Sequence, residues 1–414
     1  MRLISGSQKS EARSGMSDPE IVTEQRVFEK HCAAWKAAGC FAFDTEFIRD
    51  ETYDAKLCLL QVTTNGEVVL VDPTAKLKLD PFWKLVADKS IVTVVHAGKE
   101  DCELCLRSSG MVPHNIFDVQ IAAGFVGHGY PMSLLRLVER MVHKRIGKGQ
   151  TLTDWLRRPL TPEQIRYAAE DVVYLPQIYK RLRREIESAE RLDWAREEFA
   201  RFEEESFYHA PPEERVQRLK GSKKLDGLGL LVLEKLVEWR DEWAQARNRP
   251  TRALMRDDVL VELARRRPQK ERDLEVLRGF PQARNRKVVR DLVALIAKVS
   301  ETPKSEWPKP IARREDSPMG KALLDLMSGV IQAICHEERL NWNLLGSTQR
   351  LRELQDYHAG RLKEPPTLLR GWRKTFIGQR LLNLLEGRNR LHVTGWPSEP
   401  RMHLTVRPTS KKKG

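Results

Sequence analysis

Apolar residues in the first half of the chain switch between two periods. Phe41-Ala42-Phe43-Asp44-Thr45-Glu46-Phe47 is mostly apolar and alternates at its polar end, which predicts a strand. Leu57–Thr63, Val68–Val71 and Ile91–Val95 read the same way, and Asn65-Gly66 marks a hairpin turn between two of them. Helical spacing is predicted over Ile21–Cys40, Phe82–Ala87, from Gly98 through Leu106, and over Ile116–Phe125, Met132–Met141 and Pro162–Ser188. Thr161 followed by Pro162-Glu163-Gln164 is a helix N-terminus: a capping hydroxyl, proline at the first position and glutamine three after the cap. Three neighbouring strands, one later strand and many helices predict an α/β domain over residues 20–205, with a mixed sheet flanked by helices.

The pattern changes at Tyr208-His209-Ala210-Pro211-Pro212. Residues 213–300 show only helical periodicity, with apolar stripes at Leu230, Leu231, Leu233, Leu236 and Val237, at Leu260, Leu263 and Ala264, and at Val289, Leu292, Leu295 and Ile296. Residues 301–316 begin with three prolines among few apolar residues and read as a linker. Helical spacing returns over 317–395. Residues 1–19 read as a disordered tail, and 396–414, ending in three lysines, as a basic tail without a fold.

A chain of 414 residues implies more than one core, and an apolar content of 41% is that of folded domains. No apolar run is long enough to span a bilayer, and the N-terminus lacks the apolar centre of a signal peptide. A cytoplasmic protein with no membrane partner is therefore expected. Six cysteines make no disulfide framework, and Cys102 and Cys105, inside a helical pattern without a second pair at zinc spacing, read as reduced thiols. The net charge of +14 is segregated. Residues 1–205 carry 29 Lys and Arg against 32 Asp and Glu, whereas residues 206–414 carry 43 against 26. An acidic half suited to cations is thus joined to a basic half suited to polyanions such as nucleic acid.

The acidic half holds an ordered set of carboxylates. Asp44 and Glu46 are two apart on a strand and leave the same face, opposite to Phe41, Phe43 and Phe47. Asp101 follows His96-Ala97-Gly98, where a strand ends and a helix begins. Tyr167 and Asp171 are four apart on a helix and share a face. Like charges close together repel, and a cation between them removes the penalty. Ligation by carboxylate oxygens favours Mg²⁺ or Mn²⁺, and two such ions can clamp a phosphodiester.

This order of motifs resembles the DEDD superfamily of 3′→5′ exonucleases, and within it the ribonuclease D family. Phe43-Asp44-Thr45-Glu46-Phe47 is similar to the first exonuclease motif, and His96 through Asp101 to the second. Tyr167 through Leu175 is similar to the third, in its tyrosine variant. Phe117–Ala123 and Thr153–Leu160 support the match. The resemblance implies a ribonuclease-H-like fold, two divalent metal ions, and release of nucleoside 5′-monophosphates from RNA 3′ ends. It implies Asp44, Glu46, Asp101 and Asp171 as metal ligands, and Tyr167 as the residue that orients the attacking water. Asp118 is expected to be structural, His96 a satisfied core histidine at a strand end, and Glu170 carries no assigned role.

Residues 213–300 resemble the helicase-and-ribonuclease-D C-terminal (HRDC) domain, in Leu236–Arg240, Ala244–Pro250, Asp257–Ala264 and Leu277–Pro281. Residues 317–395, with Leu369-Arg370-Gly371-Trp372-Arg373, occupy the place of a second such all-α domain. Both are expected to bind RNA, tRNA precursors and other structured 3′ ends being the partners that the resemblance implies. Lys220, Lys223, Lys224, Arg265, Arg266, Arg267, Arg284, Arg286 and Lys287 are candidate phosphate contacts. Trp239 and Trp243 are expected in the helical core. The alternatives are a DNA exonuclease of the same superfamily and a non-catalytic RNA-binding scaffold.

Overall fold

The strand predicted at Phe41–Phe47 is central to a six-stranded sheet. A computed structural model describes residues 18–49, 52–147, 153–275, 280, 285–310, 317–395, 398 and 401–406. The expectations for residues 1–17, for 311–316 of the linker, for Arg284 and for the final lysines lie outside these. The strands are β1 (Glu20–Val22), β2 (Cys40–Ile48), β3 (Lys56–Thr64), β4 (Glu67–Val71), β5 (Val92–Val95) and β6 (Ile116–Asp118). They lie in the order β1-β4-β3-β2-β5-β6. β2, β3 and β4 are antiparallel, while β1 joins β4, β5 joins β2 and β6 joins β5 in parallel. The sheet is mixed, as expected. Asn65 (φ 52°) and Gly66 (φ 91°) both adopt positive φ, the geometry of a two-residue hairpin that matches strand twist.

Two layers of helix cover the sheet. On the face of Phe41 and Phe43 lie α1 (Gln25–Ala38), α2 (Asp80–Val86) and α3 (Lys99–Ser109), joined by Phe202 and Tyr208. On the face of Ala42 and Val94 lie α4 (Val119–Phe125), α5 (Leu134–Val142), α6 (Pro162–Val173), α7 (Leu175–Ser188) and α8 (Leu192–Phe199). Three helices expected from periodicity are corrected. Ile21–Cys40 begins as the edge strand β1, and helix starts only at Gln25. Ile116–Phe125 begins as β6; the Asp118 side chain then accepts from Gln120 N (2.8 Å) and Ile121 N (3.3 Å) and starts α4. Pro162–Ser188 is two helices, because Pro176 has no N–H to continue the ladder across Tyr174. The cap at Thr161 is the reciprocal box expected, with Gln164 N to Thr161 Oγ1 at 3.2 Å and Thr161 N to Gln164 Oε1 at 2.9 Å.

Beyond Tyr208, helices Pro212–Arg218, Gly227–Ala246, Asp257–Arg266 and Arg286–Ser300 enclose a core of their own, containing Leu233, Leu236, Leu260, Leu263, Leu292 and Ile296. Trp239 and Trp243 pack against it. The last region has helices Pro318–Glu337, Thr348–His358 and Gln379–Leu385, and closes on a hairpin. The hairpin pairs β7 (Asn389–Thr394) with β8 (Arg401–Val406) and corrects two expectations. Residues 389–394 are strand rather than helix, and part of the presumed tail is folded, with Leu404 buried. These helices share one core with the nuclease half: Phe125, Tyr179 and Phe199 belong to the same cluster as Leu344, Trp372 and Ile377.

Candidate active site

Asp44 and Glu46 leave β2 on the face roofed by α6, while Phe41 and Phe43 anchor the strand from the other face. The pairing with β3 shifts by one residue between Glu46 and Phe47, a bulge of the kind that re-aims side chains beside functional sites. α6 brings Asp171 over the sheet. Oxygen atoms of Asp44, Glu46 and Asp171 all lie within 4.8 Å of one another, each residue half-buried. Three of the four expected ligands therefore meet in one group. Asp101 does not join it at that spacing. It reaches the centre from the opposite side of the sheet, and its carboxylate accepts a hydrogen bond from the Thr45 hydroxyl.

The turn carrying Asp101 is held by Asp118. Ala97 adopts a left-handed φ of 54°, rare for a residue with a side chain and characteristic of functional sites. Asp118 Oδ1 accepts from Ala97 N (3.2 Å) and Oδ2 from Gly98 N (3.1 Å), which offsets the strain. At Gly98 an added Cβ would lie 2.4 Å from Val95 Cβ, so only glycine fits. Asp118 thus has the structural role expected of it. His96 is half-buried; its Nε2 pairs with Met132 O at 2.9 Å, and the ring lines a cavity of about 190 Å³ with Asp44, Leu134, Tyr167, Asp171 and Leu175. It is satisfied, but it is also part of the site wall. Glu170 points elsewhere, accepting from Gly147 N at 2.8 Å.

The electrostatics are those of carboxylates lacking a counter-charge. Burial, and then Asp101, Asp171 and Glu46, hold Asp44 well above the usual carboxylate range. Burial, followed by repulsion from Asp171 and Asp101, lifts Glu46 to about 8. Burial lifts Asp171 to about 7 and Asp101 to about 6, against the bonds from Tyr167 and Thr45. Such shifts mark a place where a cation is favoured. The donor set is all oxygen, which fits Mg²⁺ or Mn²⁺. Tyr167 donates its hydroxyl to Asp171, and burial with three nearby carboxylates pushes the phenol further up, so it stays protonated.

Periodicity could not reveal what supports this group. Arg158 donates to both oxygens of Asp72 (2.5 and 2.7 Å) and to Cys58 O (2.8 Å), which ties the segment before α6 to the sheet. Burial pushes Asp72 up, but the bonds from Arg158 and Thr74 outweigh it and hold the carboxyl below its usual range. Trp155, on the tied segment, sits 6.0 Å from the Tyr167 ring. Thr45 was legible only as a strand residue on the wrong face. Cys102 and Cys105 are free and buried, as expected. Of the candidate phosphate contacts, Lys220, Lys223, Lys224, Arg286 and Lys287 are exposed. Arg265 and Arg266 pair with Glu262, and Arg267 with Asp226.

The 3′-5′ exonuclease family matches residues 19–187, and the HRDC domain family matches residues 230–296. Ribonuclease D of Jannaschia sp. (strain CCS1) is 33% identical over 91% of this chain and 98% of its own length. Ribonuclease D of Pseudomonas paraeruginosa is 33% identical over 89% of this chain and 98% of its own. The crystal structure of Escherichia coli RNase D, described as an exoribonuclease involved in structured RNA processing, superposes with a TM-score of 0.78. It is 28% identical and covers 90% of this chain and 99% of that one.

Proposed function

We propose, on the premise that this chain belongs to the ribonuclease D family, that Asp44, Glu46, Asp101 and Asp171 hold two divalent cations, Mg²⁺ or Mn²⁺, for trimming the 3′ ends of tRNA precursors. The family makes the chain a 3′→5′ exoribonuclease that binds RNA. The observation that carries the finer reading is the meeting of three carboxylates within 4.8 Å beside the Tyr167 phenol. When bound, the ions supply Lewis acidity toward water and the phosphodiester.

The chain's own groups do the positioning. Tyr167 remains an O–H at physiological pH; it donates to Asp171, and its oxygen lone pairs accept from the attacking water. The water oxygen bonds to phosphorus, the P–O3′ bond breaks, and the 3′ oxygen leaves on the shortened RNA and is protonated. The product is a nucleoside 5′-monophosphate. Leu134 and Leu175 give the cavity apolar lining for the terminal nucleotide. The exposed cations of 213–300, Lys220, Lys223, Lys224, Arg286 and Lys287, meet phosphates and give affinity without base readout. Among the described residues no helix is long and apolar enough to cross a membrane, and we place the activity in the cytoplasm.

The test is incubation of a 3′-extended tRNA precursor with the protein and Mg²⁺ or Mn²⁺, beside an Asp44→Ala, Asp171→Ala double variant. Stepwise loss of 3′ nucleotides by the wild type alone is expected. Degradation of single-stranded DNA but not RNA would assign a DNA exonuclease, and binding without cleavage of either polymer a scaffold.

A further inference from the structure

Gln61 is fully buried, and neither its Nε2 nor its Oε1 has a hydrogen-bond partner. A buried amide left in that condition is costly, because it has given up its bonds to water and gained none in return. Its place is specific. In the register of β2 and β3, Gln61 lies directly opposite Asp44, so the two side chains share the face that carries the carboxylates. On its other flank Gln61 is opposite Leu70 of β4. Leu70 and Leu59, the next residue of β3 on that face, pack with Trp155, Leu160 and Ala168 under α6. Thr63, two residues further along β3, has its hydroxyl committed to Glu67 O at 2.8 Å. The polar neighbour across the strand pair is therefore Asp44.

We infer that Gln61 is a positioning residue for the metal centre: its amide N–H, unpartnered in this structure, donates to the Asp44 carboxylate across the strand pair when cations occupy the site, and so holds that carboxylate in its ligating orientation. The inference rests on the metal-centre reading above. A ligating carboxylate has lone pairs beyond those its cation uses, and a donor behind it limits rotation of the group. Gln61 is a buried donor without a partner, directly opposite Asp44 in the strand register. A leucine or methionine there would fill the same space and leave no polar atom unpaired, so packing alone does not account for an amide.

The test is calorimetric titration of Mn²⁺ into the full chain, with thermal unfolding in a chelator alongside. The proteins are wild type, Gln61→Met, Gln61→Leu and Asp44→Asn, with the Asp44→Asn, Gln61→Met double variant. Gln61→Met is expected to weaken Mn²⁺ binding by about tenfold or more, with an unfolding temperature in chelator equal to or above that of wild type. Gln61→Leu should match it, which keeps the test open if one variant folds poorly. In the Asp44→Asn background the second change should weaken binding little further, because Gln61 acts through Asp44. Wild-type affinity in both Gln61 variants would overturn the inference and leave the metal centre standing. Failure of the wild type itself to bind Mn²⁺ would overturn the metal-centre reading, and this inference with it.

Discussion

The two helical regions after the nuclease half carry similar leucine patterns and join the molecule differently. Helices of 213–300 close on a core of their own. Their tie to the nuclease half is light: Asn248 Oδ1 accepts from Tyr53 N (3.0 Å) and Asp54 N (3.3 Å). Helices of 317–385 instead complete the core of the nuclease half. Trp372 stacks on Trp194 at 5.6 Å and meets Phe125 edge-on at 5.2 Å. Glu198, buried, accepts from Arg373 Nη1 (2.5 Å) and Trp372 Nε1 (2.8 Å), and Asn341 N donates to Gly124 O (2.8 Å). At Gly124 an added Cβ would lie 2.8 Å from Tyr130 Cβ and 2.9 Å from Leu344 Cδ1, so a side chain there would crowd both regions. An apolar helical face states that something must cover it, not what covers it. One region is an appended module; the other is part of the enzyme's body.

This difference can be broken most strongly at Glu198. Glu198→Ala leaves the Arg373 guanidinium buried without its partner, a change that typically costs about 3–5 kcal/mol. Urea unfolding should show the nuclease half and residues 317–406 losing stability in one shared transition. Loss confined to the C-terminal helices would mean that they fold separately. Next in size is Leu233→Ala in the core of the middle region, which removes a fully buried side chain and should cost about 2–5 kcal/mol. The loss should appear in a separate transition, followed by the fluorescence of Trp239 and Trp243, while Mn²⁺ binding at the carboxylates is unchanged.

Acidity should separate the two regions again, by a smaller amount. Without divalent cations, Asp101, Asp171 and Glu46 keep protons in the folded protein to about pH 6, 7 and 8, above their unfolded values. Raised acids contribute stability that is present below the unfolded pKa and lost as pH rises through the folded one. The melting temperature of the nuclease transition in chelator should therefore fall between pH 5 and about 8, and added Mn²⁺ should reverse the fall. The transition of residues 213–300 should not follow it. The smallest effect is Asn248→Ala, which removes two hydrogen bonds at an exposed junction and should change stability by no more than about 1 kcal/mol. A larger loss, seen in both transitions, would show that the middle region is more tightly coupled than its contacts suggest.

Much of the site could be read in one dimension because its parts repeat at local periods. Asp44 and Glu46 share a face by strand alternation, and Tyr167 and Asp171 by one helical turn. The capping box at Thr161 announces the helix that carries the second pair. Thr45 and Gln61 were not legible. Thr45 holds Asp101 across 56 positions of sequence, and Gln61 faces Asp44 only through the register of two strands. The missed strands have the same origin. β1 and β6 are three residues each, too short to show a period, and exist because β4 and β5 offer free edges. β7 and β8 pair with each other after a run of segments that are helical.

The sequence by itself determined which segments become helix or strand where apolar residues repeat over several turns or pairs, which carboxylates are candidates for the chemistry, and which half of the chain is basic. These depend on spacing within about ten residues and on composition. Only the tertiary structure decided that Asp101 approaches from the far side of the sheet, that Gln61 lies beside Asp44, and that one helical region is built into the nuclease core while the other stands on its own. Those outcomes depend on contacts between distant segments. Hydrophobic burial is non-directional, so it rewards any apolar face that is covered, and shape and register select the partner.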